Sequence, residues 1–251
     1  MRAQGVPVVV EPAPHRVDLP RRMAGEACGT AFLLVAVVGS GIMAERLSGG
    51  NVGLALLVNA VATGGALLAL ILALGPVTGG HFNPLVTLAE ATEGGLAWRE
   101  VPGYLLAQVL GAFAGVALAH GMFSLSVFAP SSHVRSGAAQ VLAEAIATFG
   151  LLSVIRGSVR GWPRGVAFAV AAYVTGAYWF TSSTAFANPA VTLARAATDT
   201  FSGIRPVDVP GFLFGQLIGA GAATAFWRWL LRRPAAKRQA LDATATQEVA
   251  S

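Results

Sequence analysis

The sequence predicts an all-α membrane protein of six transmembrane helices and two re-entrant half-helices, arranged as an inverted repeat. Three observations carry that prediction. The first is composition: the 251 residues are 55% hydrophobic and 12% charged, with a mean hydropathy of +0.64. A soluble domain typically carries about 25% charged residues. The second is a set of six apolar, nearly charge-free stretches near 24–44, 52–74, 103–124, 137–155, 164–181 and 210–231. Each approaches the ~20 residues that cross a ~30 Å hydrocarbon layer. The third is a motif that occurs twice, Gly80-His-Phe-Asn-Pro-Leu-Val-Thr-Leu-Ala89 and Ala185-Phe-Ala-Asn-Pro-Ala-Val-Thr-Leu-Ala-Arg195.

Along the chain, residues 1–22 form a tail that holds prolines and arginines but lacks the apolar core of a cleavable signal peptide. The first span contains Gly39-Ser-Gly41. No histidine–acid pair is placed to activate that serine, so it reads as helix packing. The second span runs into a glycine-rich turn at 75–82, after which Asn83 and Pro84 start a short helix. Proline is tolerated in a first helical turn, where its missing N–H costs nothing, and asparagine is a strong N-cap. About ten residues follow, too few to span. A third span closes the first half, about 23–124. The second half, about 137–231, repeats the order through a Ser/Thr-rich turn at 181–187 and Asn188-Pro189. Residues 23–232 form one domain, and 233–251 a second tail. Many of the 30 glycines fall within spans, where small residues let helices approach closely.

The repeat extends beyond the motifs. Val101-Pro-Gly-Tyr-Leu-Leu-Ala-Gln-Val-Leu-Gly-Ala112 recurs as Val209-Pro-Gly-Phe-Leu-Phe-Gly-Gln-Leu-Ile-Gly-Ala220, at an offset of 108. The asparagines recur at an offset of 105, and a weaker block pairs Glu26 with Glu144. With three spans per half, the second copy enters the membrane upside down, which places a site near the midplane between broken helices. Non-helical backbone at that depth must be buried in protein or line a watery cavity. Two half-helices from opposite faces then meet by their positive N-terminal ends, with Asn83 and Asn188 facing each other in a pore.

Charge and cysteine exclude other classes. Cys28 alone allows no intrachain disulfide, and no Cys/His cluster has metal-ligand spacing, so neither metal nor cofactor is expected. The isoelectric point near 10.3 comes from basic residues gathered on one side rather than from nucleic-acid binding. Only Arg46, Arg135, Arg195 and Arg205 fall on the other side. The positive-inside rule then makes both termini of this multi-pass protein cytoplasmic, and the short loops and tails fit a bacterial inner membrane.

Paired Asn-Pro motifs, matched glutamates and matched Gly-Gln blocks resemble the aquaporin, or major intrinsic protein, family over roughly 22–232. The resemblance implies a right-handed six-helix bundle, a pore in each subunit and a homotetramer. It implies that Glu26 and Glu144 brace the re-entrant turns, which agrees with the cost of an unpartnered ionisable group in a span. Read alone, they are tolerated polar residues near span ends.

A permeant leaving water must exchange its hydration for groups fixed in the wall. The resemblance assigns the donors to Asn83 and Asn188, and the acceptors to carbonyls of Gly79, Gly80, His81 and Phe82 and of Thr184, Ala185 and Phe186. His81 lines the pore in this reading, not a catalytic or metal site. Pro84, Leu85, Pro189 and Ala190 complete the motifs; Leu85 replaces the usual alanine and narrows the centre slightly. The family's four filter positions, counted from the motifs, fall on Thr63, Gly176, Ala185 and Val191. The usual aromatic, histidine and arginine are missing there, so a wide, weakly polar ring is expected. Arg195 lies one turn beyond Val191 on nearly the same face. It is assigned to the outer vestibule, solvated or paired with Asp199; the alternative has it reach down to the filter.

The expected function is a passive channel for small uncharged solutes: glycerol-type polyols, metalloid hydroxides such as arsenous acid, and water. A second motif without the arginine resembles bacterial channels associated with arsenic resistance. The alternatives are a water-selective channel completed by Arg195 and an ion-coupled secondary transporter. An enzyme is not expected, and the partners are neutral solutes, membrane lipid and copies of the chain.

Overall fold

The computed structural model describes residues 17–232, so the tail assignments for 1–16 and 233–251 lie outside the described residues. Among the described residues the regular elements are helices without strands. They are α1 (Leu19–Leu47), α2 (Val52–Thr78), α3 (Pro84–Thr92), α4 (Val101–Met122), α5 (Ala138–Gly161), α6 (Val166–Phe180), α7 (Pro189–Arg195) and α8 (Val209–Leu230). Five of them, α1, α2, α4, α5 and α8, are long and apolar enough to cross a membrane.

The remaining expected span, α6, is a helix of 15 residues, ~22 Å long at 1.5 Å per residue. The 3-10 turn Pro163–Gly165 precedes it, and Thr181 leaves the helical region after it. The first span is longer than expected. Asp18 caps α1 by accepting from the Arg21 N–H at 3.2 Å, and Pro20 sits in the first turn. Leu19–Arg22 are therefore helical, although composition had assigned them to the tail.

The halves fold alike. α1 packs along α4 and α5 along α8 in the most extensive pairs, while α2 meets α6 across the halves. The short helices α3 and α7, of nine and seven residues, each lie against both α4 and α8. Glycine permits the closest crossings. A Cβ on Gly111 or Gly115 would collide with the carbonyls of Ala27 or Ala31 on α1, and one on Gly215 or Gly219 with those of Val141 or Ala145 on α5. Ser40 of the Gly-Ser-Gly stretch accepts from Asn59 Nδ2 at 2.9 Å and ties α1 to α2.

Outward-facing Phe32, Leu57, Val61, Leu106, Leu110, Leu142, Ile146, Phe214 and Leu217 are exposed, an apolar belt of the kind that lipid chains cover. Ion pairs gather at the bundle's ends. Arg22–Glu100 (2.6 Å) and Arg156–Glu93 (2.8 Å) lie at one end, Arg205–Asp208 (3.0 Å) at the other.

Leucine at Gly111 or Gly215 should force the paired helices apart. Less assembled protein is expected in the membrane fraction, with aggregation on size-exclusion chromatography in detergent. Gly121→Leu is the control, since nothing lies within 4 Å of a Cβ there, and should behave like the parent.

Candidate functional site

The site begins with two buried carboxylates. Glu26 Oε1 accepts from Thr78 Oγ1 (2.7 Å) and the His81 N–H (3.0 Å), and Oε2 from the Phe82 N–H (2.7 Å) and Gln108 Nε2 (2.8 Å). Glu144 repeats the arrangement. Its Oε1 accepts from the Phe186 N–H (2.9 Å), and its Oε2 from the Ala187 N–H (2.9 Å) and Gln216 Nε2 (2.6 Å). The glutamines continue the chain to the half-helices, Gln108 Nε2 donating to Thr87 Oγ1 at 2.9 Å and Gln216 Nε2 to Thr192 Oγ1 at 2.8 Å. Both were visible in the sequence as part of a matched block, but nothing there said that they join a carboxylate to a half-helix.

The two turns follow one backbone path. Positive φ occurs at Gly79 (96°), Gly80 (64°) and Phe82 (47°) in the first, and at Thr184 (60°), Ala185 (48°) and Ala187 (46°) in the second. These are the same three positions at the repeat offset of 105. Glycine adopts this region freely, whereas other residues pay about 1–2 kcal/mol each. The hydrogen bonds to Glu26 and Glu144 hold both turns against that cost.

At the centre the motifs cross over. Asn83 Nδ2 donates to the Ala187 carbonyl and Asn188 Nδ2 to the Phe82 carbonyl, each at 2.8 Å. Their Oδ1 atoms cap the half-helices, accepting from the Leu85 N–H (2.9 Å) and from the Ala190 N–H (3.0 Å). Each amide keeps a second hydrogen for a passing solute.

One cavity runs past both motifs. Thr63, Gly79, Gly80, His81, Phe82, Asn83, Ala185, Phe186, Asn188, Val191 and Arg195 all line it. The half-helices present matching stripes, Asn83, Val86 and Glu90 on α3 and Asn188, Val191 and Arg195 on α7, at the i, i+3, i+7 spacing of one helical face. Pro84, Leu85, Pro189 and Ala190 are not on those stripes. Leu85 is buried away from the cavity, so it does not narrow the centre. His81 Nδ1 lies 3.0 Å from Thr87 Oγ1 and its ring packs on Tyr104.

Two expectations about the constriction are corrected. Gly176 does not line the cavity; a Cβ there would meet only Phe180. The face that α6 turns inward carries Tyr173, Val174, Ala177 and Tyr178 instead. Counting back from Asn188 missed this, because a count fixes position along a helix but not its rotation. The wall therefore has an aromatic, Tyr178, whose hydroxyl lies 3.2 Å from Thr63 Oγ1.

Arg195 is likewise neither solvated in a vestibule nor paired with Asp199. It is 2% exposed, its guanidinium carbon lies 3.3 Å from the Phe186 ring centroid, and its Nε donates to the Ser202 carbonyl. The segment after α7 folds back over it, the Ile204 N–H donating to the Arg195 carbonyl at 3.2 Å. Asp199 accepts from the Ser132 N–H (2.8 Å) and hydroxyl (2.9 Å), which hold its carboxyl below the usual range. Thr184 also stands outside the cavity wall; its hydroxyl lies 3.4 Å from Arg135 Nη1.

The major intrinsic protein family model matches residues 14–162. An aquaglyceroporin of Rhizobium meliloti is 52% identical over 215 residues, 86% of this chain and 92% of its own length. Aquaglyceroporin-3 of Trypanosoma brucei brucei is 41% identical over 114 residues, 45% of this chain and 36% of its own. The solved aquaglyceroporin from Plasmodium falciparum shares the fold, with a TM-score of 0.65 at 20% identity over 84% of this chain and 96% of that one.

Glu144→Gln should be far from conservative. Both carboxylate oxygens accept from backbone N–H groups, so an amide must turn its own NH₂ toward one of them. Loss of a hydrogen bond to a charged group is worth about 1.5–3 kcal/mol. We expect at least tenfold slower solute flux in proteoliposomes for protein that still inserts.

Proposed function

The chain belongs to the major intrinsic protein family, and on that premise we propose that it is a passive channel for small uncharged solutes, glycerol-type polyols foremost. Metalloid hydroxides such as arsenous acid belong to the same class, and water passes with them. The observation that carries this reading is the two-sided cavity. The turns, Asn83, Asn188 and Arg195 supply a polar line, while Leu67, Ile71, Leu151, Ile155, Val170 and Val174 from α2, α5 and α6 supply an apolar remainder. A polyol has the same two edges, hydroxyls along one and C–H groups along the other. Its hydroxyls pass from one fixed donor or acceptor to the next, and the apolar wall keeps binding weak enough for release.

In this reading Thr63, Tyr178, Ala185, Val191 and Arg195 form the constriction, and carbonyls of Gly79–Phe82 and of Ala185 and Phe186 accept from the solute. Two helix starts at the centre raise the energy of any cation there, which opposes proton and sodium leak. The basic end that holds Arg22, Arg156 and Arg228 is cytoplasmic, with both termini. The Arg195 mouth then faces outward from a bacterial inner membrane, in a homotetramer. The pore moves its solute without bond chemistry; His81 is engaged by Thr87 and Tyr104.

One observation favours a second reading, a water-selective filter: Arg195 and Tyr178 both stand in the cavity wall. Stopped-flow measurements on proteoliposomes separate the two. Glycerol and arsenous acid entering no faster than into empty vesicles, with rapid water flux, would overturn the solute reading.

Arg195→Ala should raise the glycerol-to-water permeability ratio several-fold, because it removes the one cation among the cavity-lining residues and widens the narrow end. Arg195→Lys should fall between the two, since it keeps the charge but not the planar fork of donors. Asn188→Asp should lower solute flux and let cations through, because its carboxylate would offset the positive helix ends. Vesicle acidification assays read that leak directly.

A further inference from the structure

One difference between the halves singles out Arg135. In the first half the Tyr104 hydroxyl, on α4, donates to the Thr78 carbonyl at 2.7 Å, and the Tyr104 ring packs 5.4 Å from His81. At the repeat offset of 108, Tyr104 corresponds to Phe212 on α8. At 105, Thr78 corresponds to Ser183 and His81 to Phe186. The ring pair is preserved, with Phe186 and Phe212 centroids 4.9 Å apart. The hydroxyl is not.

Arg135 fills the gap. Its Nη1 donates to the Ser183 carbonyl at 3.3 Å and lies 3.4 Å from Thr184 Oγ1, with the guanidinium carbon 5.1 Å from the Phe186 ring centroid. It comes from the connection between α4 and α5, outside both copies of the repeat. That connection is itself held in place. Arg135 Nε donates to the Gly203 carbonyl and its backbone N–H to Asp208 Oδ2, both at 2.8 Å.

The second turn also needs more support than the first. Where the first has Gly79 and Gly80, the second holds Thr184 and Ala185 at positive φ, a region that residues with a Cβ avoid. The Ser183 carbonyl immediately precedes this pair, and Ala185 and Phe186 line the cavity. Fixing that carbonyl therefore fixes the wall beside the constriction.

We propose that Arg135 is a positioning residue for the pore: it gives the Ser183 carbonyl the hydrogen bond that Tyr104 gives Thr78, and so holds Thr184–Phe186 in place. The inference rests on the channel reading above, because the wall it positions is the proposed constriction. Arg135 acts through Ala185 and Phe186 rather than on the solute.

The test is a rescue. Arg135→Met keeps the side chain's length and removes its donors; the loss of one such hydrogen bond, about tenfold in an equilibrium, should lower glycerol permeability more than water permeability. The ratio of the two should fall several-fold. Phe212→Tyr places a hydroxyl where Tyr104 has one and should leave the ratio near that of the parent. In Arg135→Met/Phe212→Tyr the ratio should return to within about twofold of the parent, a non-additive pair. An arginine that merely tethered the outer connection would gain nothing from a hydroxyl on α8. An unchanged ratio in Arg135→Met, or a double variant no better than the single, overturns the proposal. If Arg135→Met does not reach the membrane, the double variant decides: insertion with a parent-like ratio supports the proposal, and failure of either overturns it. If the parent passes water but not glycerol, the solute reading fails by itself. The rescue is then scored on water permeability and its activation energy.

Discussion

A turn inside a bilayer exposes peptide N–H groups that neither lipid nor a helix can satisfy, at several kcal/mol each. A carboxylate in the middle of a span costs about 2.5–3.5 kcal/mol by itself. In this protein each liability answers the other. Glu26 and Glu144 each take hydrogen bonds from a hydroxyl (Thr78, Ser183), a glutamine (Gln108, Gln216) and two backbone N–H groups of a re-entrant turn. Hydrogen bonds to charged groups are worth about 1.5–3 kcal/mol apiece, so together they outweigh the burial of one charge. The half-helices, the crossed asparagines and the shape of the cavity all follow from turns held this way.

Once the turns are fixed, the half-helices have no freedom to rotate. Asn83 and Asn188 each cap their own helix and donate to the opposite turn, which locks the two helix starts against each other. Everything on the α3 and α7 faces is then set by helical geometry. Val86 and Val191 come next along the cavity, and Glu90 and Arg195 after them. Repeat symmetry thus puts an acid at one mouth and a base at the other, in corresponding positions.

Much of this was legible in the sequence because repetition reveals it. Two Asn-Pro motifs, a matched glutamate and a matched Gly-Gln block are sequence facts, and together they require two half-helices and an inverted pair of halves. The constriction was less legible. Gly176 was placed by counting, but α6 is rotated so that Tyr178 faces inward, and no local pattern in an evenly apolar helix betrays its rotation. Sequence places Arg195 in the vestibule because small Thr63, Gly176 and Ala185 offer little to hold a guanidinium, and Asp199 lies four residues on. A segment with glycine and proline follows, and its return over α7 brings in Ser202 and Ile204, while Phe186 comes from the turn before α7; these contacts differ in kind from any i+4 pairing. Arg135 sits in a stretch without regular structure, where sequence offers only charge. Its role shows only when the two halves are laid side by side and Phe212 is found without a hydroxyl.

The cavity separates two tasks along its axis. In the proposed reading, cation exclusion depends on the helix starts at Asn83 and Asn188, whereas solute size is set at Arg195 and Tyr178, which line the same cavity. Seven residues separate Asn188 from Arg195, ~10 Å at the helical rise, about one Debye length at 0.1 M salt, although screening inside a protein is weaker. A change at the mouth can therefore alter which neutral solutes pass while the central barrier to ions stays in place. Valine at position 191, where the family resemblance leads one to expect an arginine, is tolerable on these terms. Val191 leaves room at its own level, Arg195 restores a fixed cation one turn farther out, and the asparagines at the centre are untouched by either.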